Sequence, residues 1–408
     1  METKKTLRSS GSAPRFFIVA GEASGDIHAA RLMKALKERE PLCQFFGVGG
    51  AEMAKEGLQS LAPLEIMNVV GVWEVARRYG RLRDILRVCS ELLKAERFDA
   101  FIPVDYPGFN MRLAETARKC GAPVLWYIAP QLWAWGEHRA KRLRALVDAL
   151  FVILPFEEDF FSQRGIFARY VGHPTLELIP RECMPLSERE RTIALFPGSR
   201  EQEIIRNLPI MLRSLELLCA RRAEAREYAP RIARANAVPE KLYDALLRRL
   251  CNASQWKRSG RFTANGSPPW MWESGATELL RSARAAMVKI GTSTLEAALV
   301  ATPHLAMYRA SPLTHQWAKR VVHLPQIALP NILFSHWKAE DSLTREFIQS
   351  QATPENLALE MERLLFDEEY ATTMHARGAR LRNLLEASAP QGETASRNAA
   401  RGIWERLR

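Results

Sequence analysis

Four short stretches of the chain hold residues whose types and spacing suit group-transfer chemistry. In "VAGEASGD" (19–26) an apolar run ends in a turn of small residues, the usual prelude to a phosphate cradle at a helix N-terminus. Glu22, however, puts a carboxylate where an anion would have to sit. "VDYPGFN" (104–110) sets Asp105 at the end of an apolar run. A carboxylate at a strand end can serve as a general base, and Asp-Tyr-Pro-Gly is equally good turn chemistry. "LFPGSREQEI" (195–204) closes a strand in Pro-Gly-Ser and adds Arg200. Such an arginine can neutralise a diphosphate by bidentate contacts without a metal ion, or can simply be a solvated turn residue. "KIGTSTLEA" (289–297) opens a helix on Gly291, Thr292 and Ser293, whose N–H groups and hydroxyls suit a diphosphate. Glu296, in the first turn or so, can accept from two adjacent ribose hydroxyls. An ordinary Ser/Thr cap with a dipole-favoured acid accounts for the same residues.

These groups are useful only if strands and helices bring them to a common edge. Apolar runs at 15–20, 44–49, 100–105, 123–129, 149–154 and 168–172 read as strands. They lack polar alternation, as in a parallel sheet covered on both faces. Helical periodicity lies between them, clearest over 26–39, where Asp26 can cap the start. A polar segment with three prolines, 174–190, reads as a linker. A second strand–turn–helix series follows at "RTIALFPGSR", "AAMVKIGTSTLEAAL" and "HLAMYR", with long helical patterns at about 355–386 and 393–407. Residues 222–275 are Arg-rich and irregular, and no element is assigned there. The expectation is an α/β protein: a Rossmann-like domain over 1–175 and a second over 190–408, the latter with the C-terminal helices. Two doubly wound domains facing across a cleft form the GT-B architecture, which by itself does not specify a function.

The 408 residues carry a net charge of +12, which points to an anionic partner: nucleic acid, an acidic membrane surface or phosphorylated substrates. Cysteines at 43, 89, 120, 183, 219 and 251 form no CxxC pair, so reduced thiols in a cytosolic protein are expected rather than a zinc site or a disulfide framework. No apolar run approaches the roughly 18–20 residues of a membrane span. The stretch 68–93 interleaves Val72, Trp73, Tyr79 and leucines with five arginines. It suits either a helix lying on an anionic bilayer or a core-packed helix with a solvated basic face. "QLWAWGEHRAKRLRAL" (131–146) mixes tryptophans with basic residues, yet no nucleic-acid-binding pattern accompanies it. "GEASGD" is not G-x-G-x-x-G, which disfavours a nicotinamide cofactor, and no metal-ligand spacing is present.

In order as well as kind, "VAGEASGD", "FFGVGG", "VVGVWEV", "VDYPGFN", "WYIAPQLWAWGEHR", "FVILPFE", "YVGHP", "LFPGSREQEI", "GTSTLEA" and "ALPNIL" resemble the successive blocks of the lipid-A-disaccharide synthase family. The resemblance covers most of 15–210 and 285–365, and departs at Gly108, where many members carry Asp. It implies a metal-independent, inverting GT-B glycosyltransferase needing no cofactor. That enzyme transfers 2,3-diacylglucosamine from its UDP-sugar to 2,3-diacylglucosamine 1-phosphate (lipid X), giving the β-1,6-linked disaccharide 1-phosphate and UDP. It further implies a peripheral protein on the cytoplasmic face of the inner membrane, and a family that includes a homodimer with exchanged C-terminal segments. Carried onto this sequence, Asp105 fits the base for the acceptor 6-hydroxyl and Glu22 a nearby carboxylate. Arg200, Gly291, Thr292, Ser293 and Glu296 fit UDP contacts, and Asn331, as the Asn of the LPN block near the cleft, fits a substrate or UDP contact. With the nucleotide in the second domain, the first turn faces sugar hydroxyls, for which Glu22 is an acceptor. The alternative is another UDP-N-acetylglucosamine enzyme of the same fold, a wall-synthesis transferase or a 2-epimerase.

Overall fold

The computed structural model describes residues 13–67, 72–235, 238–251, 271–272, 275–311, 316, 324–337, 342–390 and 393–408. They form two compact units, Met1–Glu177 with Ala387–Arg408, and Leu178–Glu386.

The first unit is built on seven parallel strands: β1 (Arg15–Ala20), β2 (Gln44–Val48), β3 (Leu58–Ser60), β4 (Ala100–Val104), β5 (Leu125–Tyr127), β6 (Ala149–Val152) and β7 (Ala168–Tyr170). Their order is β3-β2-β1-β4-β5-β6-β7, so the direction of winding reverses between β1 and β4. Within β1, Phe17 and Val19 join the core on one face of the sheet while Phe16, Ile18 and Ala20 join the core on the other. Both alternating faces are covered, which is why the strands read as unbroken apolar runs. Phe109, Leu113 and Ala117 of the helix Pro107–Lys119 pack on the first face, with Ile85, Cys89 and Leu93 of the helix Val72–Ala95. From residue 80 onward that second helix is therefore core-packed, with Arg81, Arg83 and Arg87 exposed. The side chains of Val72 and Trp73 lie outside the described residues.

The other face is closed by the helices Ala23–Arg39 and Ala395–Leu407. The sequence expectation put the C-terminal helix in the second domain; it packs in the first unit instead. Ala395, Ala399, Ala400, Ile403 and Trp404 form one helical stripe, and Trp404 meets Phe16 edge-on at 5.6 Å. Gly402 lets the helix lie against Phe151, since a Cβ there would fall 2.3 Å from its ring. Glu177 accepts from both the Ser396 N–H and its hydroxyl at 2.8 Å, fixing the helix start. Helical spacing reveals an apolar stripe but carries no information about which sheet it covers.

The second unit holds β8 (Glu190–Phe196), β9 (Ala229–Ala233), β10 (Met271–Trp272), β11 (Ala283–Lys289), β12 (His304–Tyr308) and β13 (Glu346–Ile348), parallel and ordered β10-β9-β8-β11-β12-β13. The winding reverses between β8 and β11. β9 and β10 fall in the segment where no element was assigned. The expected helix over 355–386 is two helices, Pro354–Phe366 and Glu368–Ser388, divided at Asp367, whose carboxylate accepts from the Tyr370 N–H at 3.0 Å. Buried Arg189 braces the unit from behind. Its guanidinium donates to the carbonyls of Leu280, Ala283, Val300 and Ala301 and to the Thr302 hydroxyl. These acceptors cluster at the C-terminal ends of the helices Ala276–Ser282 and Thr292–Leu299, where carbonyls lack helical partners and a cation is favoured. Burial pushes the guanidinium down to about 10, so it stays charged at neutral pH. No helix among the described residues is long and apolar enough to cross a membrane.

Candidate active site

In a doubly wound sheet, ligands bind beyond the carboxyl ends of the strands where the order reverses. In the first unit that point lies between β1 and β4. Ala20 pairs with Val104, so Glu22 and Asp105 follow the paired strand ends by two residues and one. The two turns are packed together through Gly21: a Cβ there would fall 2.2 Å from the Tyr106 ring. Tyr106 is anchored in turn by its hydroxyl, which donates to the Met67 carbonyl at 2.6 Å.

The backbone here is strained. Asp105 and Tyr106 have φ of 48° and 50°, and Ile128, past the end of neighbouring β5, has φ of 61°. Side chains with a Cβ adopt this left-handed region only when their surroundings enforce it, and such residues concentrate at functional sites. The enforcing groups are visible. Asn110, fully buried, donates to the Asp105 carbonyl at 2.7 Å, and the Asp105 N–H donates to the Tyr127 carbonyl at 3.1 Å. Burial pushes the Asp105 carboxyl up to about 6, Glu22 adds to the shift by like-charge repulsion, and the Tyr106 N–H partly opposes it. Glu22 occupies the N-cap position of the helix Ala23–Arg39, but its side chain makes no cap bond. Asp26 in the same motif has a structural task, accepting from the N–H groups of Gly50, Glu52 and Met53 at 2.8–3.1 Å.

One acid of this edge escaped the sequence reading. Glu157, 1% exposed, accepts from Trp133 Nε1 at 2.9 Å and from the N–H groups of Ile153 and Leu154 at 3.2 and 3.1 Å. Burial pushes it up to about 7; these donors oppose the shift and Asp105 adds to it. Trp133 also meets Phe156 edge-on at 5.0 Å, and Arg139 lies over Trp135 at 4.6 Å. Both tryptophans of 131–146 are thus engaged within the protein, while Lys141, Arg142 and Arg144 are exposed. An acid three positions into a helix start, reaching back to the cap N–H, was the signal available in "FVILPFE".

In the second unit the reversal lies between β8 and β11, where Arg200 and the Gly291–Glu296 stretch emerge. Arg200 is the N-cap of the helix Glu201–Arg221, preceded by Gly198 at φ of 134°. Gly291 is the N-cap of the helix Thr292–Leu299, and no side chain caps that start. Gly291 and Thr292 are exposed, and Ser293 and Glu296 are half-buried. The Thr294 hydroxyl is taken up by the Gly291 carbonyl at 2.6 Å. Burial pushes the Glu296 carboxyl up. Asn331 does not present its amide as expected. It is 1% exposed, donates to the Thr344 carbonyl and Glu346 Oε1 at 2.8 Å, and accepts from the Leu343 and Thr344 N–H groups at 2.8 and 2.9 Å. All four of its hydrogen-bonding positions are filled, so it locks the loop before β13 rather than contacting a ligand. Among the described residues no group of three or more His, Cys, Asp or Glu side chains could hold a metal ion.

The family model described as "Lipid-A-disaccharide synthetase" matches residues 16–399. A lipid-A-disaccharide synthase of Myxococcus xanthus (strain DK1622) is 36% identical over 403 residues, covering 97% of this chain and 98% of its own. Among solved structures, a protein of Listeria monocytogenes named as a candidate UDP-N-acetylglucosamine 2-epimerase superposes with a TM-score of 0.60 at 12% identity, covering 97% of this chain and 95% of that one. The glycotransferase of kitacinnamycin superposes at 0.57 with 14% identity, covering 98% of this chain and all of that one (100%). At such identities these two share the GT-B fold and no more, so the epimerase likeness does not favour the alternative activity. The chain belongs to the lipid-A-disaccharide synthase family, glycosyltransferases that form a disaccharide.

Proposed function

We propose that the enzyme transfers 2,3-diacylglucosamine from its UDP-sugar to the 6-hydroxyl of 2,3-diacylglucosamine 1-phosphate, with inversion and without a metal ion. The observation that carries this reading is the half-buried Asp105 carboxyl, held in strained backbone at the reversal point of the first sheet and raised to about 6. A primary hydroxyl is a poor nucleophile at neutral pH. A carboxylate of raised proton affinity removes its proton better than an ordinary one, while remaining mostly ionised at pH 7. Asp105 takes the 6-hydroxyl proton as the oxygen attacks the anomeric carbon, and the bond to UDP breaks on the opposite face. Glu22 accepts a hydroxyl of the bound sugar, which answers why a carboxylate stands at the mouth of a nucleotide-type turn. In the second unit, Arg200 and the uncapped helix start at Gly291–Ser293 receive the charge that develops on the leaving diphosphate. Glu296 accepts from the ribose hydroxyls.

The same proposal places the protein on an anionic membrane surface, the cytoplasmic face of the inner membrane, where acylated substrates reside. Support comes from the net charge of +12 and from exposed Arg81, Arg83 and Arg87 beside Val88, which is 41% exposed. The homodimer of the family reading would use the C-terminal segment. The test is product analysis by mass spectrometry with defined substrates in the presence of EDTA. The proposal expects the tetraacylated disaccharide 1-phosphate and equimolar UDP. Equal use of UDP-N-acetylglucosamine, or loss of turnover that magnesium restores, would overturn it.

A further inference from the structure

The second unit holds a cation that the UDP reading does not use. Lys289, the last residue of β11, is largely buried, its side chain 16% exposed. Its ammonium lies 2.9 Å from Glu203 Oε1, and Arg200 NH1 lies 3.4 Å from the same oxygen. Two cations, one from each strand end at the reversal point, therefore converge on a single anionic oxygen. The ammonium that holds this oxygen lies beside the helix start assigned to the diphosphate: a Cβ built on Gly291 would fall 3.8 Å from it. The Ser199 N–H also points into this place, donating to Glu203 Oε2 at 3.0 Å. Gly198 makes the room, since a Cβ there would fall 2.6 Å from Glu203 Oε2.

Resting on the UDP reading above, we propose that Lys289 is a second binding cation for the diphosphate and that Glu203 is its resident counter-ion, filling the phosphate position until UDP displaces it. Arg200, Lys289 and the Ser199 N–H are what a phosphate group is held by elsewhere: a guanidinium, an ammonium and a turn N–H. Burial alone would push the Glu203 carboxyl up, but Lys289, Arg200 and the Ser199 N–H outweigh it and hold it below the usual range. It is therefore an anion at neutral pH, in the place of an anion. Retaining it beside a diphosphate would bring like charges together in a half-buried site, a costly juxtaposition. Its side chain is 18% exposed, which gives it an outlet to solvent.

The exchange predicts opposite effects at the two ends of one ion pair, a pattern that a purely structural pair does not give. The measurement is calorimetric titration of the full chain with UDP and with uridine. Lys289→Met should weaken UDP binding about 10-fold, ~1.4 kcal/mol, and leave uridine unchanged, with Lys289→Arg restoring part of the loss. Glu203→Gln should tighten UDP binding roughly 3- to 10-fold, because a competing anion is gone. The double variant Lys289→Met/Glu203→Gln, which removes both ends of the Lys289–Glu203 pair together, guards against misfolding and should bind UDP more weakly than Glu203→Gln alone. Unchanged UDP affinity in the lysine variants, or weaker binding in Glu203→Gln, would overturn the inference. Wild-type protein that binds UDP no more tightly than uridine would instead overturn the UDP reading on which it rests.

Discussion

Replacing Asp105 by Asn should stabilise the protein while disabling it. The folded structure raises this carboxyl from 3.8 to about 6, so at neutral pH folding must hold it ionised in a half-buried place, against stability. About two units at ~1.4 kcal/mol each gives roughly 3 kcal/mol as an upper figure, and the half-buried setting brings the expected effect to about 1–3 kcal/mol. The sign follows from which state binds the proton more tightly. Above the folded value both states are ionised and the destabilisation is complete; as pH falls from about 6 toward 3.8 the folded carboxyl protonates first and the penalty fades; below that it is gone. Asn removes the charge, tolerates the left-handed backbone and keeps an oxygen for the Tyr106 N–H. Denaturant titration near neutral pH should show the gain, or a melting point higher by about 2–4 °C per kcal/mol. At pH near 4 the two proteins should be alike. An Asp105→Asn variant that is no more stable than wild type near neutral pH, or an advantage that persists near pH 4, would refute the claim that a charged, half-buried Asp105 is held there against stability.

Glu22→Gln removes the like charge that helps raise Asp105, so the acid limb of kcat/KM should move to lower pH; an unmoved limb would separate the two carboxyls. Asn331→Ala leaves the Leu343 and Thr344 N–H groups without their acceptor and should destabilise the second unit by roughly 2–4 kcal/mol. The same variant should weaken UDP binding only through the loosened loop, measured by titration beside a melting curve. Gly402→Val drives a side chain into the Phe151 ring and should cost about 1–3 kcal/mol in the first unit, seen by denaturant titration.

Much of the fold and part of the site could be read from the chain because both are local in sequence. Strand ends, small-residue turns and helix starts place Glu22, Asp105, Arg200 and Gly291–Glu296 within single stretches, and parallel winding brings each pair of stretches to one reversal point. What stayed hidden depends on partners distant in the chain. Glu157 is functional-looking only once Trp133 and the edge of Asp105 are beside it. Asn331 sits in a recognisable block, yet its four bonds to 343–346 decide that it holds a loop. The C-terminal helix has a legible stripe, but its seat on Phe16 and Phe151 is a matter of shape between segments hundreds of residues apart. Strand β9 begins Ala-Pro-Arg among arginines, where composition masks the pattern.

The central claim is that Asp105 accepts the proton of the attacking hydroxyl. Its most direct test is kcat/KM against pH for the wild type and for Asp105→Asn, with UDP affinity measured on both. The wild type should lose activity below an apparent pKa of about 6, where the base becomes protonated. The variant should retain UDP binding, lose roughly 10²- to 10⁴-fold in rate, and show no such acid limb in what remains. A wild-type profile that is flat through this range, or a variant of near-normal kcat/KM, would contradict it.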